Sequence, residues 1–287
     1  MNDFWAYTVW YALLAVVALC ELVFALAKAE NRRLALGLYL TLTGLALSFE
    51  TPVLIIFKAY AYYPMLLQTC PFPFDRVLAG SLFSETSVAA TALLVAVLGL
   101  GFRWQAVLAG LYGLIEEAFL ALGVYDHNWY QTWMTVISLL VYFQLAKTLY
   151  AALVRGVRPV VFYGSVALGL FPLYLVTIPW ALMISGQLDF SRSFLADPIM
   201  SRYLLCLVVY AVPAAAVMMS VRYARWPCRA KAAAVAALWL FYYLGSRLDI
   251  IVISEGGFWT VNTVTTVWMY ISVLAMDRLY ADVRKRN

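Results

Sequence analysis

Charged residues are scarce in this sequence: only 12% of its 287 residues are Asp, Glu, Lys or Arg, whereas soluble domains average about a quarter. This scarcity excludes a soluble fold of ordinary composition, and 65% of the residues are hydrophobic. Apolar stretches of about 20 residues recur along the chain, and each is long enough to cross about 30 Å of hydrocarbon. The sequence therefore predicts a polytopic helical membrane protein with no soluble domain of useful size.

Histidine and cysteine are also rare, with one and four residues. Neither His127 nor the cysteines show metal-ligand spacing, so we expect no zinc site and assign no metal or cofactor. Cys20 and Cys206 lie inside predicted spans, which disfavours a disulfide framework. The net charge of +5 does not indicate nucleic acid binding, because in a membrane protein the placement of Lys and Arg matters more than their sum.

Nine helices are predicted to cross the membrane, so the fold class is all-α and residues 1–287 form a single membrane domain, a transmembrane helix bundle. The predicted limits are 5–27, 34–57, 80–101, 104–125, 131–153, 159–185, 201–221, 231–253 and 259–280. The first span lacks a basic stretch before it and a small-residue cleavage site after it, so we expect it to be retained. Pro52, Pro172 and Pro179 are expected to interrupt the second and sixth helices.

The basic residues fall mainly on one predicted side of the membrane. Fifteen lie in loops after odd-numbered helices or at the C-terminus: Lys28, Arg32, Arg33, Arg103, Lys147, Arg155, Arg158, Arg222, Arg225, Arg229, Lys231, Arg278, Arg284, Lys285 and Arg286. Four lie on the other side, Lys58, Arg76, Arg192 and Arg202, and only Arg247 lies well inside a predicted span. The bias predicts an external N-terminus and a cytoplasmic C-terminus.

Two parts of the chain are similar in sequence. A shift of 130 residues aligns Trp129 with Trp259 and Thr135 with Thr265. We expect two parallel four-helix repeats, residues 34–153 and 159–280, with the first helix (5–27) appended and a shared site near the axis between them. The alternative is chance similarity between apolar helices, and the sequence leaves both interpretations open.

Ionisable residues inside or beside the predicted spans are the candidate binding residues: Glu50, Glu85, Glu116, Glu117, His127, Arg247 and Asp249. A charge that faces lipid costs a few kcal/mol or more, so such groups face the bundle interior and pair, or line water. One arginine cannot neutralise five acids. We therefore expect an acidic cavity open to the outside, with Arg247 paired to Glu116 or Glu117. The alternative is a set of neutral carboxyl groups that serve only helix packing.

Residues 49–155 carry a moderately specific group of motifs: Ala61-Tyr62-Tyr63-Pro64, the run from Gly80 to Ser87, Leu114-Ile115-Glu116-Glu117, and the run from Leu122 to Trp129. In these motifs the chain resembles a family of uncharacterised multi-helix membrane proteins of spore-forming Firmicutes. The resemblance implies a multi-pass protein of the bacterial cytoplasmic membrane. It implies no activity, and members of that family have about half as many helices.

Three functions remain open. The first is a transporter or permease-like protein that takes a small cationic or apolar substrate and exchanges protons on Glu50, Glu116 or Glu117. The second is a membrane-embedded enzyme that uses intramembrane carboxyl groups on a lipid or isoprenoid. The third is a non-catalytic assembly partner. Phosphate-binding loops and zinc-protease motifs are absent, and the lipid bilayer is the one partner that the sequence itself implies. Oligomeric state stays open.

Overall fold

The computed structural model describes residues 3–65 and 72–284, and the side chains of residues 3–5 fall outside that description. Within these ranges the chain is mainly helical, in agreement with the predicted all-α class. In the same part of the chain six helices are long and apolar enough to cross a membrane: Ala6–Lys28, Arg32–Ile56, Phe74–Leu98, Thr132–Arg155, Pro159–Ile184 and Pro198–Tyr223. Nine crossings stay a prediction, and Cys70 lies outside the described residues.

The elements follow one another as helices interrupted by four short strands. They are α1 (Asp3–Lys28), α2 (Arg32–Thr51), β1 (Tyr60–Tyr62), α3 (Phe74–Leu98), α4 (Phe102–Ala121), β2 (Tyr125–His127), α5 (Thr132–Arg155), α6 (Pro159–Leu170), α7 (Ile178–Ile184), β3 (Leu188–Phe190), α8 (Pro198–Leu204), α9 (Val212–Tyr223), α10 (Cys228–Arg247), β4 (Ile251–Ile253), α11 (Phe258–Leu279) and α12 (Ala281–Arg284). Three π-helical segments, Pro52–Ile56, Phe171–Leu175 and Leu205–Ala211, continue α2, α6 and α8.

The chain divides into two compact units. The first comprises Met1–Gly169 together with Leu279–Asn287, and the second comprises Leu170–Arg278. Each unit contains one pair of antiparallel three-residue strands. In the first unit β1 pairs with β2, with Tyr60 opposite His127 and Tyr62 opposite Tyr125. We call this pair the first ribbon. In the second unit β3 pairs with β4, with Leu188 opposite Ile253.

Residues at the helix ends account for several boundaries. The side chain of Asn31 accepts a hydrogen bond from the Leu34 amide at 3.0 Å and caps the start of α2. Gly99 ends α3 in the left-handed conformation, with φ of 64°. Prolines mark two of the π-helical segments, as the sequence predicted for the second and sixth helices: Pro52 begins one and Pro172 is the second residue of another. Proline cannot donate the helical hydrogen bond, which favours a local change of helix geometry.

Two predicted helices end earlier than expected. The fourth was expected to reach residue 125 and the eighth residue 253, but α4 ends at Ala121 and α10 ends at Arg247. In both cases a left-handed residue follows, Gly123 with φ of 67° and Asp249 with φ of 54°, and a strand begins two residues later. The expectation that Asp249 lies on a helical face is therefore wrong. The cause is the β-branched run after it, which favours extended chain.

Two contacts hold the first ribbon against the helices of the first unit. The buried hydroxyl of Tyr11, on α1, donates to the Val124 carbonyl and accepts from the Tyr63 amide at 3.2 Å. Gly80, on α3, leaves room for the Tyr62 side chain, because an added Cβ would lie 2.9 Å from Tyr62 Cγ. These contacts fix the ribbon side chains relative to α1 and α3.

The second unit has a polar but compact interior. Tyr210 and Tyr242 stack with ring centroids 4.4 Å apart, and the Tyr210 hydroxyl bonds to Asn262 and Thr265 at 3.0 and 2.8 Å. Arg202, which is one of the four basic residues predicted on the external side, is 0% exposed in α8 and donates to Asp189 Oδ1 at 2.5 Å. Although burial alone would raise the pKa of Asp189, hydrogen bonds from Arg202 and Arg192 outweigh it and hold that pKa below its ordinary value.

Candidate functional site: an acidic cavity in the first unit

A cavity of about 400 Å³ lies within the first unit, and we call it the acidic cavity. Its lining comes from α1, α2, α3, α4, α5 and the first ribbon: Tyr11, Leu14, Leu45, Ala46, Phe49, Glu50, Tyr60, Tyr62, Ser84, Glu85, Val88, Tyr112, Ile115, Glu116, Phe119, Tyr125, Tyr130, Thr135, Ile137, Ser138, Leu139, Val141, Tyr142 and Leu145. The size falls in the range of small-molecule sites, which is roughly 300–1,000 Å³. No Lys or Arg is among these described residues, so the lining favours cations or neutral molecules over anions.

Glu50 and Glu85 form the centre of the polar lining. Their carboxyl groups lie within hydrogen-bonding reach of each other. An ionised carboxylate has no proton to donate, so a hydrogen bond between them requires a proton on one of the two groups. Glu50 is only 2% exposed and also accepts from the Ser81 hydroxyl at 2.7 Å and the Tyr60 hydroxyl at 3.3 Å. The pair therefore holds one exchangeable proton at the cavity wall.

Glu116 provides a third carboxylate, and its partner is the only histidine. His127 Nε2 lies 2.6 Å from Glu116 Oε1, and the two side chains are 15% and 10% exposed. His127 is the last residue of β2, so the ribbon brings the imidazole back over α4. A protonated imidazole would neutralise Glu116, whereas a neutral imidazole can donate one hydrogen bond to it. Either form fixes the carboxylate at the edge of the cavity.

Four tyrosines of the ribbon and the adjoining loop form an aromatic wall: Tyr60, Tyr62, Tyr125 and Tyr130. The Tyr60 ring lies 5.4 Å from the Tyr125 ring and 5.1 Å from the Tyr130 ring, measured between centroids. Burial raises the pKa of Tyr60, and the charges of Glu50 and Glu85 raise it further. The Tyr60 hydroxyl therefore keeps its proton and donates it in the hydrogen bond to Glu50.

The sequence does not reveal this wall, because tyrosines near the ends of spans are equally typical of the interfacial belts of membrane proteins. Tyr60 and Tyr62 alternate along β1, with Ala61 between them, so both ring positions lie on one side of the strand. The alternation of tyrosine and alanine in Tyr60-Ala61-Tyr62 is the signal in the sequence that could have predicted the strand. The strand was not predicted because residues 58–79, between two predicted helices, contain three prolines and were expected to form a loop.

The structure brings together four of the seven predicted binding residues. Glu50, Glu85 and Glu116 line the acidic cavity, and His127 bonds to Glu116. Glu117 does not line it: its side chain accepts from the Thr132 hydroxyl at 2.5 Å and the residue is exposed. Adjacent helical residues point about 100° apart, which accounts for the different directions of Glu116 and Glu117.

Arg247 and Asp249 belong to the second unit, where both are exposed at the turn between α10 and β4. The predicted pairing of Arg247 with Glu116 or Glu117 stays a prediction. Within the part of the chain that the structure describes, no group of three or more His, Cys, Asp and Glu side chains could hold a metal ion.

Comparisons with known proteins add no assignment. No protein-family profile, no curated protein and no solved structure matches this chain.

Proposed function

We propose that the protein is a membrane transporter that binds a lipophilic cation in the acidic cavity and releases, in exchange, the proton shared by Glu50 and Glu85. The carboxyl pair is the observation that carries the proposal. A bound cation stabilises two ionised carboxylates, so cation and proton compete for the same place. The loss of one proton for each cation bound is the chemical basis of exchange.

The lining of the cavity supports this choice of ligand. Aromatic rings attract a cation through the negative faces of their π systems, and the effect is larger where water is excluded. The rings of Tyr60, Tyr125 and Tyr130 lie near the carboxyl pair, and apolar side chains such as Leu45 and Val88 complete the wall. An anionic ligand would meet three carboxyl groups there and no Lys or Arg from the described residues.

Binding and proton release can be measured together. We would titrate the protein in lipid nanodiscs with tetraphenylphosphonium, which carries a permanent charge and no proton of its own, in two buffers with different heats of ionisation. We expect about one proton to be released for each cation bound, because the carboxyl pair holds one. Glu50→Gln and Glu85→Gln should abolish the release. Glu117→Gln is the matched control, because that acid lies outside the lining.

Transport itself is tested in liposomes that contain a pH-sensitive dye. A gradient of the cation should drive proton flux with the wild-type protein, and Glu50→Gln should reduce that flux to the level of empty liposomes. Wild-type flux in both Glu50→Gln and Glu85→Gln would refute the proposal. If the protein binds the cation but shows no proton flux, it is a cation-binding protein and the proposal of transport is wrong.

A second candidate is an enzyme that protonates a lipid or isoprenoid, and the same shared proton favours it. A carboxylic acid that faces an apolar, tyrosine-lined space can protonate a carbon–carbon double bond, and the tyrosine rings can stabilise the resulting cation. Lipid extracts of cells that express the wild type and Glu85→Gln would be compared. A lipid present only with the wild type supports the enzyme, and identical extracts exclude it.

We also propose the location and ancestry that the sequence indicates: the bacterial cytoplasmic membrane, an external N-terminus, relatedness to the Firmicutes family, and two parallel repeats. One π-helical segment with a proline and one ribbon in each unit support the repeats. Cys228, which is exposed at the start of α10, tests the orientation. A membrane-impermeant maleimide should label it only after the cells are permeabilised. Labelling of Cys228 in intact cells would show that the orientation is opposite to the one proposed.

A further inference from the structure

The rim of the acidic cavity is apolar. Of the residues that line the cavity, only Phe49, Ile137, Val141 and Leu145 are exposed, with exposed fractions between 45% and 65%. Every polar residue of the lining is buried or only partly exposed. A solute that enters past exposed side chains therefore meets hydrocarbon groups first.

The exposed rim lies on two helices that are long and apolar enough to span the membrane. Phe49 is on α2, and Ile137, Val141 and Leu145 follow one another at four-residue intervals along one face of α5. Ile137 is five residues into α5, which places it roughly 8 Å from the helix start, and Leu145 is roughly 12 Å farther. On a membrane-spanning α5, these positions would lie within the hydrocarbon layer rather than at its edge.

We infer that the ligand enters the acidic cavity sideways from the bilayer, between α2 and α5, and that it is a single-chain amphiphile with a cationic head group. The head would meet Glu50 and Glu85, and the chain would lie against Phe49 and the exposed face of α5. A cavity of about 400 Å³ is in the lower part of the usual range for ligand sites, which suits one hydrocarbon chain rather than two. This inference rests on the proposed function and replaces the expected opening toward water.

The test narrows the rim without touching the acids. Val141→Trp and Ile137→Trp add bulk at the rim, and Val16→Trp adds the same bulk to an exposed position of α1 that does not line the cavity. Decyltrimethylammonium is mixed rapidly with each protein in nanodiscs, and a pH indicator follows the proton release. We expect at least tenfold slower release in the two rim variants and the wild-type rate in Val16→Trp.

The outcomes separate the two proposals. If the wild type releases no proton with decyltrimethylammonium or tetraphenylphosphonium, the proposed function fails. If the wild type releases a proton and both rim variants do so at the rate of Val16→Trp, sideways entry is wrong and the proposed function stands. Since all three substitutions replace exposed residues, equal unfolding midpoints would show that slower release does not come from a damaged fold.

A chain of hydrogen bonds leads from the cavity lining through Tyr112 and Thr91 to Glu21. The Tyr112 hydroxyl is part of the cavity lining and lies 2.8 Å from Ser87 Oγ and 2.9 Å from Thr91 Oγ1. Thr91 Oγ1 in turn donates to Glu21 Oε2 at 2.5 Å. Glu21 is on α1, seven residues before its end at Lys28 and so roughly 10 Å from it. A hydroxyl group both donates and accepts, so the chain can pass a proton along its length.

We infer that Tyr112, Thr91 and Glu21 form a proton relay from the acidic cavity toward the Lys28 end of α1. The relay also rests on the proposed function. Tyr112→Phe keeps the ring and removes the link, and Glu21→Gln removes the terminal acceptor. Tyr39→Phe is the control, because the Tyr39 hydroxyl donates to the Thr86 carbonyl and Tyr39 does not line the cavity.

We expect Tyr112→Phe and Glu21→Gln to release the proton at least tenfold more slowly when tetraphenylphosphonium is present at a saturating concentration. The infrared difference spectrum of binding should also lose one carboxyl band in Glu21→Gln. Wild-type release rates in either variant would overturn the relay, whereas a wild type that releases no proton would refute the proposed function instead.

Discussion

At Gly80, we expect the addition of a single methyl group to disturb the acidic cavity strongly. A methyl group at this position of α3 would lie 2.9 Å from Tyr62 Cγ, 3.1 Å from Pro64 Cδ, and closer still to the Tyr62 Cβ. The Tyr62 Cβ is attached to the backbone of β1, so rotation of the Tyr62 side chain cannot relieve the contact. In Gly80→Ala the ribbon must therefore move away from α3.

The magnitude follows from two opposing effects. Overpacking of a well-packed site costs typically 1–3 kcal/mol, and contact with a backbone-attached atom places Gly80→Ala near about 3 kcal/mol. Replacing a helical glycine by alanine returns about 1 kcal/mol. The net loss in the free energy of unfolding is then about 2 kcal/mol. Gly110, on α4, is the matched control, because a Cβ there meets nothing within 4 Å, so Gly110→Ala should gain about 1 kcal/mol.

Reversible unfolding in mixed micelles measures both variants, and we expect their free energies of unfolding to differ by about 3 kcal/mol. Tetraphenylphosphonium binding provides a second measurement, because displacement of Tyr62 should weaken binding in Gly80→Ala and leave it unchanged in Gly110→Ala. Equal stability and equal binding in the two variants would refute the argument that close packing at Gly80 fixes the ribbon.

Three further results are expected. Asp189→Ala removes the carboxylate that bonds to the buried Arg202 and should lower the free energy of unfolding by about 3–5 kcal/mol. The double variant that also carries Arg202→Met should recover much of this loss. If it does not, the broken ion pair is not the cause of the lost stability. Because the pKa of Asp189 is lowered on folding, the contribution of its carboxylate to stability is complete above the ordinary pKa of 3.8 and is lost as the pH falls below it. The difference between the free energies of unfolding at pH 6 and pH 3 should therefore be smaller in Asp189→Asn than in the wild type. Tyr11→Phe removes the hydroxyl that bonds to Val124 and Tyr63 and should cost about 1–3 kcal/mol in the same unfolding measurement, while Tyr7→Phe, on the same helix, serves as a control that should stay within about 0.5 kcal/mol.

The sequence predicted the helices well where apolar runs were long and bounded by clear signals. The limits of α5, and of α2 taken together with the π-helical segment that continues it, differ from the expected ones by one or two residues. Pro52 and Pro172, which were expected to interrupt helices, lie in π-helical segments. Strand β4 was missed because the apolar run Ile251-Val252-Ile253 has the same composition as one more helical turn. Strand β2 was missed because the predicted helix reached Tyr125 and left Asp126 and His127 in a loop. The feature that distinguishes a strand from a further helical turn at these places is a left-handed residue before each strand, Gly123 or Asp249.

The candidate site was predicted in part. The requirement that intramembrane acids face the interior led to the expectation of a shared space, and Glu50, Glu85 and Glu116 line the acidic cavity. It could not distinguish Glu116 from Glu117, because either could face the interior until the rotation of α4 was known. The hydrogen bond between Glu116 and His127 depends on a ribbon that no helical periodicity reveals.

The wide turn at Pro52–Ile56 places a constraint on chain length. Glu50 and Tyr60 are ten residues apart and meet at the cavity, and the π-helical segment lies between them. Each residue of a helix changes direction by about 100°, so the loss of one residue there would turn Glu50 away from Tyr60 unless the strand slipped in register. Insertions and deletions should therefore be excluded from this short interval, even where the identities of its residues vary.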